Sequence, residues 1–171
     1  RLQQRVSEIA AEINRDYAGQ DLVMLCILRG GMVFLVDLMR QVSIPHEIEV
    51  MAISSYGSGL RESHGNVRLT LDLQIDIRDR NVLLVEDIID SGNTIAYVLE
   101  FLTTRMPKSL KVCALLDKES RREVVVPVHY RGFPIPDKFV FGYGLDIDGY
   151  YRNLTFIGVV DLEKYNTSTK T

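Results

Sequence analysis

Residues 85–94 read Val85-Glu86-Asp87-Ile88-Ile89-Asp90-Ser91-Gly92-Asn93-Thr94, and this string decides the fold. It begins where the apolar run of residues 82–85 stops and ends where a helical pattern starts, over residues 94–105. A short continuous apolar run predicts a strand buried on both faces. The first amides of a helix lack internal partners and carry partial positive charge, so a strand-loop-helix junction favours a phosphate. Gly92 lets the backbone come close, Ser91 and Thr94 add hydroxyls, and Asn93 adds a side-chain N–H. Glu86 and Asp87 conflict with this picture, because carboxylates repel phosphate. The conflict resolves if both acids accept hydrogen bonds from sugar hydroxyls and lie near a cation that neutralises a polyphosphate. The implied ligand is a sugar phosphate, with Asp90 facing its reacting end. A bland reading competes for each residue alone: Asp90 or Ser91 caps a helix and the acids are solvated. The complete string behind an apolar strand favours the functional reading.

Working outward, residues 2–17 carry a helical stripe at Val6, Ile9, Ala10 and Ile13. Residues 23–28, VMLCIL, predict a second buried strand, broken by Arg29-Gly30-Gly31 and followed by a helix over 33–41. Residues 47–54 predict a strand. Residues 54–66, SSYGSGLRESHGN, are polar and glycine-rich, and the length points to a mobile functional loop. Residues 67–73 alternate apolar and polar, as a half-exposed strand does. Residues 112–116 predict a fourth core strand. Residues 120–136, with Pro127, Pro134 and Pro136, read as irregular. Residues 139–143 and 155–160 read as late strands, and 166–171 as a frayed tail. Strands alternating with helices give an α/β domain: a mainly parallel central sheet flanked by helices, spanning 1–171. Ligands bind such sheets at the carboxyl ends of the strands. The loops after Leu28, Val85 and Leu116 are therefore expected to share one cleft.

Composition narrows the function. A chain of 171 residues with 46% hydrophobic side chains has room for a sizeable core. Net charge of −3 and a lone Arg121-Arg122 pair give no basic surface for nucleic acid. No apolar run approaches the ~20 residues of a membrane span. The start, Arg1-Leu2-Gln3-Gln4-Arg5, does not read as a signal peptide, so a cytoplasmic location is expected; the absence of an initial Met suggests that native residues precede it. Cys26 and Cys113 sit in apolar runs and read as reduced, buried thiols. His46, His64 and His129 are isolated, which argues against a histidine metal site. Gly57-x-Gly59 and Gly142-x-Gly144 do not extend to a dinucleotide fingerprint, and no Walker-type lysine loop exists.

The string at 85–94 resembles the phosphoribosyl-pyrophosphate motif of type I phosphoribosyltransferases. Likeness to the hypoxanthine branch runs from Leu28-Arg29-Gly30-Gly31 to Tyr151-Arg152, and is greatest to bacterial forms through SSYGSG, EDIIDSGNT, LLDK and IPDKFVFGYGLD. The resemblance implies a type I fold with a small hood from the N- and C-terminal segments and a mobile loop at about 54–67. It implies magnesium-dependent transfer of 5-phosphoribose from its 1-pyrophosphate to N9 of hypoxanthine, and next of guanine, with the mononucleotide and pyrophosphate as products. By the same likeness Glu86 and Asp87 bind ribose hydroxyls, and Asp90, Ser91, Gly92, Asn93 and Thr94 hold the 5'-phosphate. Asp90 handles the proton at purine N7. Arg29, Gly30, Ser55, Tyr56 and Arg152 contact pyrophosphate. The peptide joining Leu28 and Arg29 is often cis in the family, and many relatives carry Lys where Arg29 stands. Lys118 donates to the purine O6, the Phe139 ring stacks on the base, and the backbone of Val140 meets its edge. Alternation puts Phe139 and Phe141 on one face, so the residues alone do not say which ring meets the ligand. Glu86, Asp87 and Asp146 are the implied magnesium residues, and the family forms dimers or tetramers. Two rivals remain at this point. One is a phosphoribosyltransferase preferring xanthine or a pyrimidine. The other is a nucleotide-sensing, RNA-binding regulator on the same fold.

Overall fold

The strand that carries the acidic string lies in the middle of a sheet. The computed structural model describes residues 1–56 and 66–161, apart from the side chains of Ser55, Tyr56, Asn66 and Val67. In chain order the elements are α1 (Leu2–Asp16), β1 (Leu22–Leu28), α2 (Gly31–Met39), β2 (Glu47–Tyr56), β3 (Asn66–Leu71), β4 (Asn81–Ile89), α3 (Asn93–Thr103), β5 (Ser109–Asp117), a 3-10 turn (Glu119–Arg121), β6 (Tyr130–Pro134), β7 (Val140–Phe141) and β8 (Gly158–Val159). The main sheet has the order β3-β2-β1-β4-β5-β6. Its neighbours pair in parallel except β2 with β3, an antiparallel edge. β7 and β8 form a separate antiparallel pair.

Period-2 alternation explains why both faces of the sheet are apolar. On one face Leu22, Met24 and Cys26 of β1 join Leu83 and Val85 of β4, under α1 and α2. Their intervening neighbours Val23, Leu25 and Ile27 face the other way, with Val82 and Leu84, against Ile95, Val98 and Leu102 of α3. Burying each such side chain stabilises the fold by about 1.5–3 kcal/mol. With both faces covered, the carboxyl ends of β1, β4 and β5 lie side by side. That is where the sequence pattern placed its cleft.

Three expectations need correction. β4 does not stop at Val85 but runs to Ile89, paired Glu86↔Ala114, Ile88↔Leu116 and Ile89↔Asp117 with β5. Glu86 and Asp87 are therefore strand residues, and the turn proper is Asp90 to Gly92. The apolar-run rule halts at a charge, whereas ladder bonds and β-branched Ile88-Ile89 keep the chain extended. Within residues 120–136, read as irregular, lies β6, an edge strand in parallel register with β5 through Cys113↔Tyr130 and Leu116↔Phe133. Its Gly132 and Pro134 look like strand breakers, but Pro134 ends the strand and an edge tolerates both. The late strands shrink to the two-residue β7 and β8. Most of the polar loop at 54–67 and the tail at 166–171 lie outside the described residues.

Gly132 is required by close approach. A Cβ there would fall 2.2 Å from the Leu115 carbonyl oxygen of β5. Gly132→Ala is expected to cost about 1–3 kcal/mol, as overpacking does, and to lower the melting temperature by roughly 2–4 °C per kcal/mol. Thermal unfolding followed by circular dichroism checks this; an unchanged midpoint would show that β6 shifts freely.

Candidate active site

Glu86 and Asp87 are carried out of water by the central strand, with 6% and 8% of their surface exposed. Burial pushes the Glu86 carboxyl well above the usual carboxylate range; the neighbouring Asp87 charge adds to this and a backbone bond from Ile27 opposes it. Its Oε1 has no hydrogen-bond partner. Burial likewise raises Asp87 to about 6, against the pull of backbone amides and of the Arg152 charge, while Asp146 pushes it further up. The amide of Ile88 donates to Asp87 Oδ1 at 2.7 Å. An unpartnered buried carboxylate oxygen is costly unless a ligand completes it.

Two glycines let other chain segments close on this pair. A Cβ on Gly30 would lie 1.8 Å from Asp87 Oδ2, so the carboxylate rests directly on the turn after β1. That turn contains a cis peptide between Leu28 and Arg29, as the family likeness implies. Gly144, at φ +99°, would bring a Cβ within 2.3 Å of the Gly30 carbonyl oxygen. The Gly144 carbonyl accepts from Arg152 Nη1 at 2.6 Å, and its amide donates to the Arg152 carbonyl at 2.9 Å. Arg152 Nη2 pairs with Asp146 Oδ1 at 2.7 Å, and the Gly149 amide donates to Asp146 Oδ2 at 2.7 Å. Thus Gly30, Asp87, Asp146 and Arg152 converge. Arg29 is exposed at the same turn. The side chains of Ser55 and Tyr56 lie outside the described residues; their backbones end β2.

On the other side of the turn, neither Asp90 nor Ser91 caps α3. The cap is Gly92 at φ +88°, without a side-chain cap bond. Ser91 Oγ accepts from the Asn93 amide at 3.4 Å and from Asn93 Nδ2 at 3.2 Å, and Thr94 is exposed on the first turn. Asp90 faces cations instead: Lys118 Nζ donates to Oδ2 at 3.1 Å and Arg121 Nε to Oδ1 at 3.3 Å. Asp137 lies 3.8 Å from Lys118 and 3.7 Å from Arg121. Arg121 and Asp137 were not among the residues singled out from sequence. No sequence signal marked them: the 3-10 turn directly after Lys118, which brings residue 121 back beside it, is visible only in the structure. The two aromatic rings differ in packing. Phe141 lies against Gly158 and edge-on to Tyr151, with ring centroids 5.7 Å apart, whereas Phe139 is half exposed. Val140 pairs with Val159, and the Phe139 carbonyl accepts from the Val160 amide at 2.8 Å.

Among the described residues no group of three acidic, histidine or cysteine side chains is placed to hold a metal by itself. Glu86, Asp87 and Asp146 therefore do not form an all-protein cage. Magnesium commonly keeps waters and takes only one or two carboxylates beside substrate oxygens. The unpartnered Glu86 oxygen and the charge of Asp87 and Asp146 fit that mode. No described helix is long and apolar enough to cross a membrane.

The phosphoribosyl transferase domain family matches residues 1–148. This chain belongs to the phosphoribosyltransferase family. It is 51% identical over 160 residues to hypoxanthine phosphoribosyltransferase of Escherichia coli strain K12, covering 92% of this chain and 89% of that protein. It is 45% identical over 170 residues to hypoxanthine-guanine phosphoribosyltransferase of Mycobacterium tuberculosis strain CDC 1551, covering 96% and 84%. A solved hypoxanthine phosphoribosyltransferase from Staphylococcus aureus superposes with a TM-score of 0.92 at 40% identity, covering 96% and 89% of the two chains. Membership explains why this phosphoribosyltransferase tolerates two buried acids at the end of its central strand.

That tolerance has a measurable cost. Asp87 holds its proton to about pH 6 when folded, against an ordinary value of 3.8. Stability without ligand therefore falls as pH rises through this window, and the loss is complete above about pH 7, on the order of 3 kcal/mol. Asp87→Asn keeps the acceptor for Ile88 and removes the charge. It is expected to raise the melting temperature of the ligand-free protein by roughly 3–8 °C at pH 7.5, with the gain shrinking toward zero near pH 4. A gain independent of pH would refute burial as the cause.

Proposed function

We propose that the chain is a purine-salvage phosphoribosyltransferase. It transfers 5-phosphoribose from its 1-pyrophosphate to N9 of hypoxanthine, and next of guanine, releasing pyrophosphate. The observation that carries this reading is the division of one cleft into two chemistries: two buried acids, with Glu86 Oε1 unpartnered, on one side of the Asp90–Gly92 turn and an acid-lysine pair on the other. The relatives named hypoxanthine phosphoribosyltransferase support the choice of base.

In this reading Glu86 and Asp87 accept hydrogen bonds from the ribose hydroxyls, and the backbone amides with Ser91, Asn93 and Thr94 hold the 5'-phosphate. Arg29, Gly30, Ser55, Tyr56 and Arg152 hold the pyrophosphate. Phe139 offers a free ring face to the base, and the Val140 backbone meets the purine edge. The Lys118 ammonium donates to O6; a 6-amino group offers it no comparable acceptor, which disfavours adenine. As N9 attacks C1 of the ribose, the C1–pyrophosphate bond breaks and Asp90 accepts the purine N7 proton. Magnesium, when bound with Glu86, Asp87 and Asp146 nearby, supplies screening of the negative charge on the donor and leaving group. The protein works in the cytoplasm as one domain, in a homodimer or homotetramer, with the loop at 54–67 closing to exclude water.

The test is base consumption with the phosphoribosyl donor and magnesium, run separately with hypoxanthine, guanine, xanthine and adenine. Turnover is expected in the order hypoxanthine, guanine, then the others. Asp90→Asn should lower kcat by about 10²–10⁴ with unchanged folding, the usual weight of a general acid–base. Full activity of that variant would remove Asp90 from the proton transfer.

A further inference from the structure

A strap of residues 119–124, made of the 3-10 turn and the three residues after it, ties down the turn that follows β4. Arg122 Nη1 donates to the Asp90 carbonyl oxygen at 2.9 Å. The amides of Glu123 and Val124 both donate to the Ser91 carbonyl oxygen, at 2.9 and 3.1 Å. Asn93 Nδ2 donates to Glu123 Oε2 at 2.7 Å. Gly92 leaves room for the strap, since a Cβ there would lie 2.4 Å from the Val124 carbonyl oxygen and 3.0 Å from Arg122 Cδ. Arg122 is itself anchored: its Nη2 bonds Asp117 Oδ1, a side chain with no exposed surface at the end of β5. Arg131 Nε lies 2.9 Å from the other Asp117 oxygen.

The direction of these bonds matters more than their number. In a trans peptide the C=O and the following N–H point opposite ways. The carbonyls of Asp90 and Ser91 are both claimed by the strap, so the amides of Ser91 and Gly92 are turned away from it. Carbonyl oxygens facing a phosphate would repel it, and amides attract it. We infer that Asp117 and Arg122 are positioning residues: they fix the two carbonyls on the strap side and so hold the turn's amides toward the 5'-phosphate. The same pair joins the end of β5, where Lys118 reads the base, to the turn that holds the phosphoribosyl group. This inference rests on the phosphoribosyl reading of the site.

The readout is the gain in affinity that a 5'-phosphate confers, measured by calorimetry as the Kd ratio of inosine to inosine 5'-monophosphate. Arg122→Lys keeps a cation facing Asp117 but loses the fork that reaches Asp90; Arg122→Gln loses both. The gain is expected to fall about tenfold or more in Arg122→Lys and further in Arg122→Gln, the size of one or more charge-assisted bonds. Inosine itself should bind within about threefold of the unaltered protein in both, since its contacts are untouched. An undiminished gain in folded Arg122→Lys would overturn the inference, as would equal weakening of both ligands. Unfolding of Arg122→Lys would make the pair a stability element and overturn it too. If the unaltered protein gains nothing from the 5'-phosphate, the phosphoribosyl reading itself fails, and the inference with it.

Discussion

Two carboxylates held out of water at the end of the central strand set the terms for everything around them. Glu86 and Asp87 cannot swing into solvent, because β4 is paired on one side with β1 and on the other with β5 up to Ile89. The ladder is fixed in turn by apolar side chains packed on both faces. The core therefore holds the acids in a place they would not choose alone. A chain built only for stability would put alanine or valine there. What offsets the desolvation must come from outside, and sugar hydroxyls with a cation are suited to do so.

The constraint reaches along the backbone. Asp87 Oδ2 lies where Gly30 would carry a Cβ, and the Gly30 carbonyl lies where Gly144 would carry one. Three segments distant in sequence thus nest, with only the Asp87 carboxylate between β4 and Gly30 and no side chain between Gly30 and Gly144. Arg152 closes the stack by bonding the Gly144 carbonyl while pairing with Asp146. Displacing any one layer moves the charge around Asp87, because Arg152 and Asp146 act on that carboxyl in opposite senses.

Much of this was legible in the sequence. VMLCIL and the run at 82–85 gave the two buried strands, since continuous apolar runs of that length have few other uses. The turn after β4 stood out as a candidate site because glycine, hydroxyls and acids follow a strand in an order that packing alone does not explain. The end of β4 was misjudged because hydropathy stops at Glu86 while the ladder does not. β6 was missed because Gly132 and Pro134 signal a break locally, and only the nearby Leu115 carbonyl makes glycine necessary there. Arg121, Arg122, Asp117 and Asp137 were invisible as site residues. Their roles depend on how the strap folds back on the turn, and charged residues after a strand usually signify solvent. The different packing of Phe139 and Phe141, with Phe141 against Gly158 and Tyr151, could not be read from their alternation.

The pairing of Lys118 with Asp90 also bears on how base recognition and proton transfer are linked. The Lys118 ammonium is nearly buried and lies 3.1 Å from the Asp90 carboxylate. An ammonium has three N–H bonds. Asp90 takes one of them and Asp137, at 3.8 Å, is an ion-pair neighbour beyond hydrogen-bond reach, so in the proposed reading O6 of a base can be met without breaking the Asp90 contact. The second carboxylate then has a physical role. It shares the Lys118 and Arg121 charges with Asp90, so neither cation is held by Asp90 alone. Two acids sharing two cations leave each group only partly committed to any one partner, where a lone lysine-aspartate pair would commit each charge fully to the other.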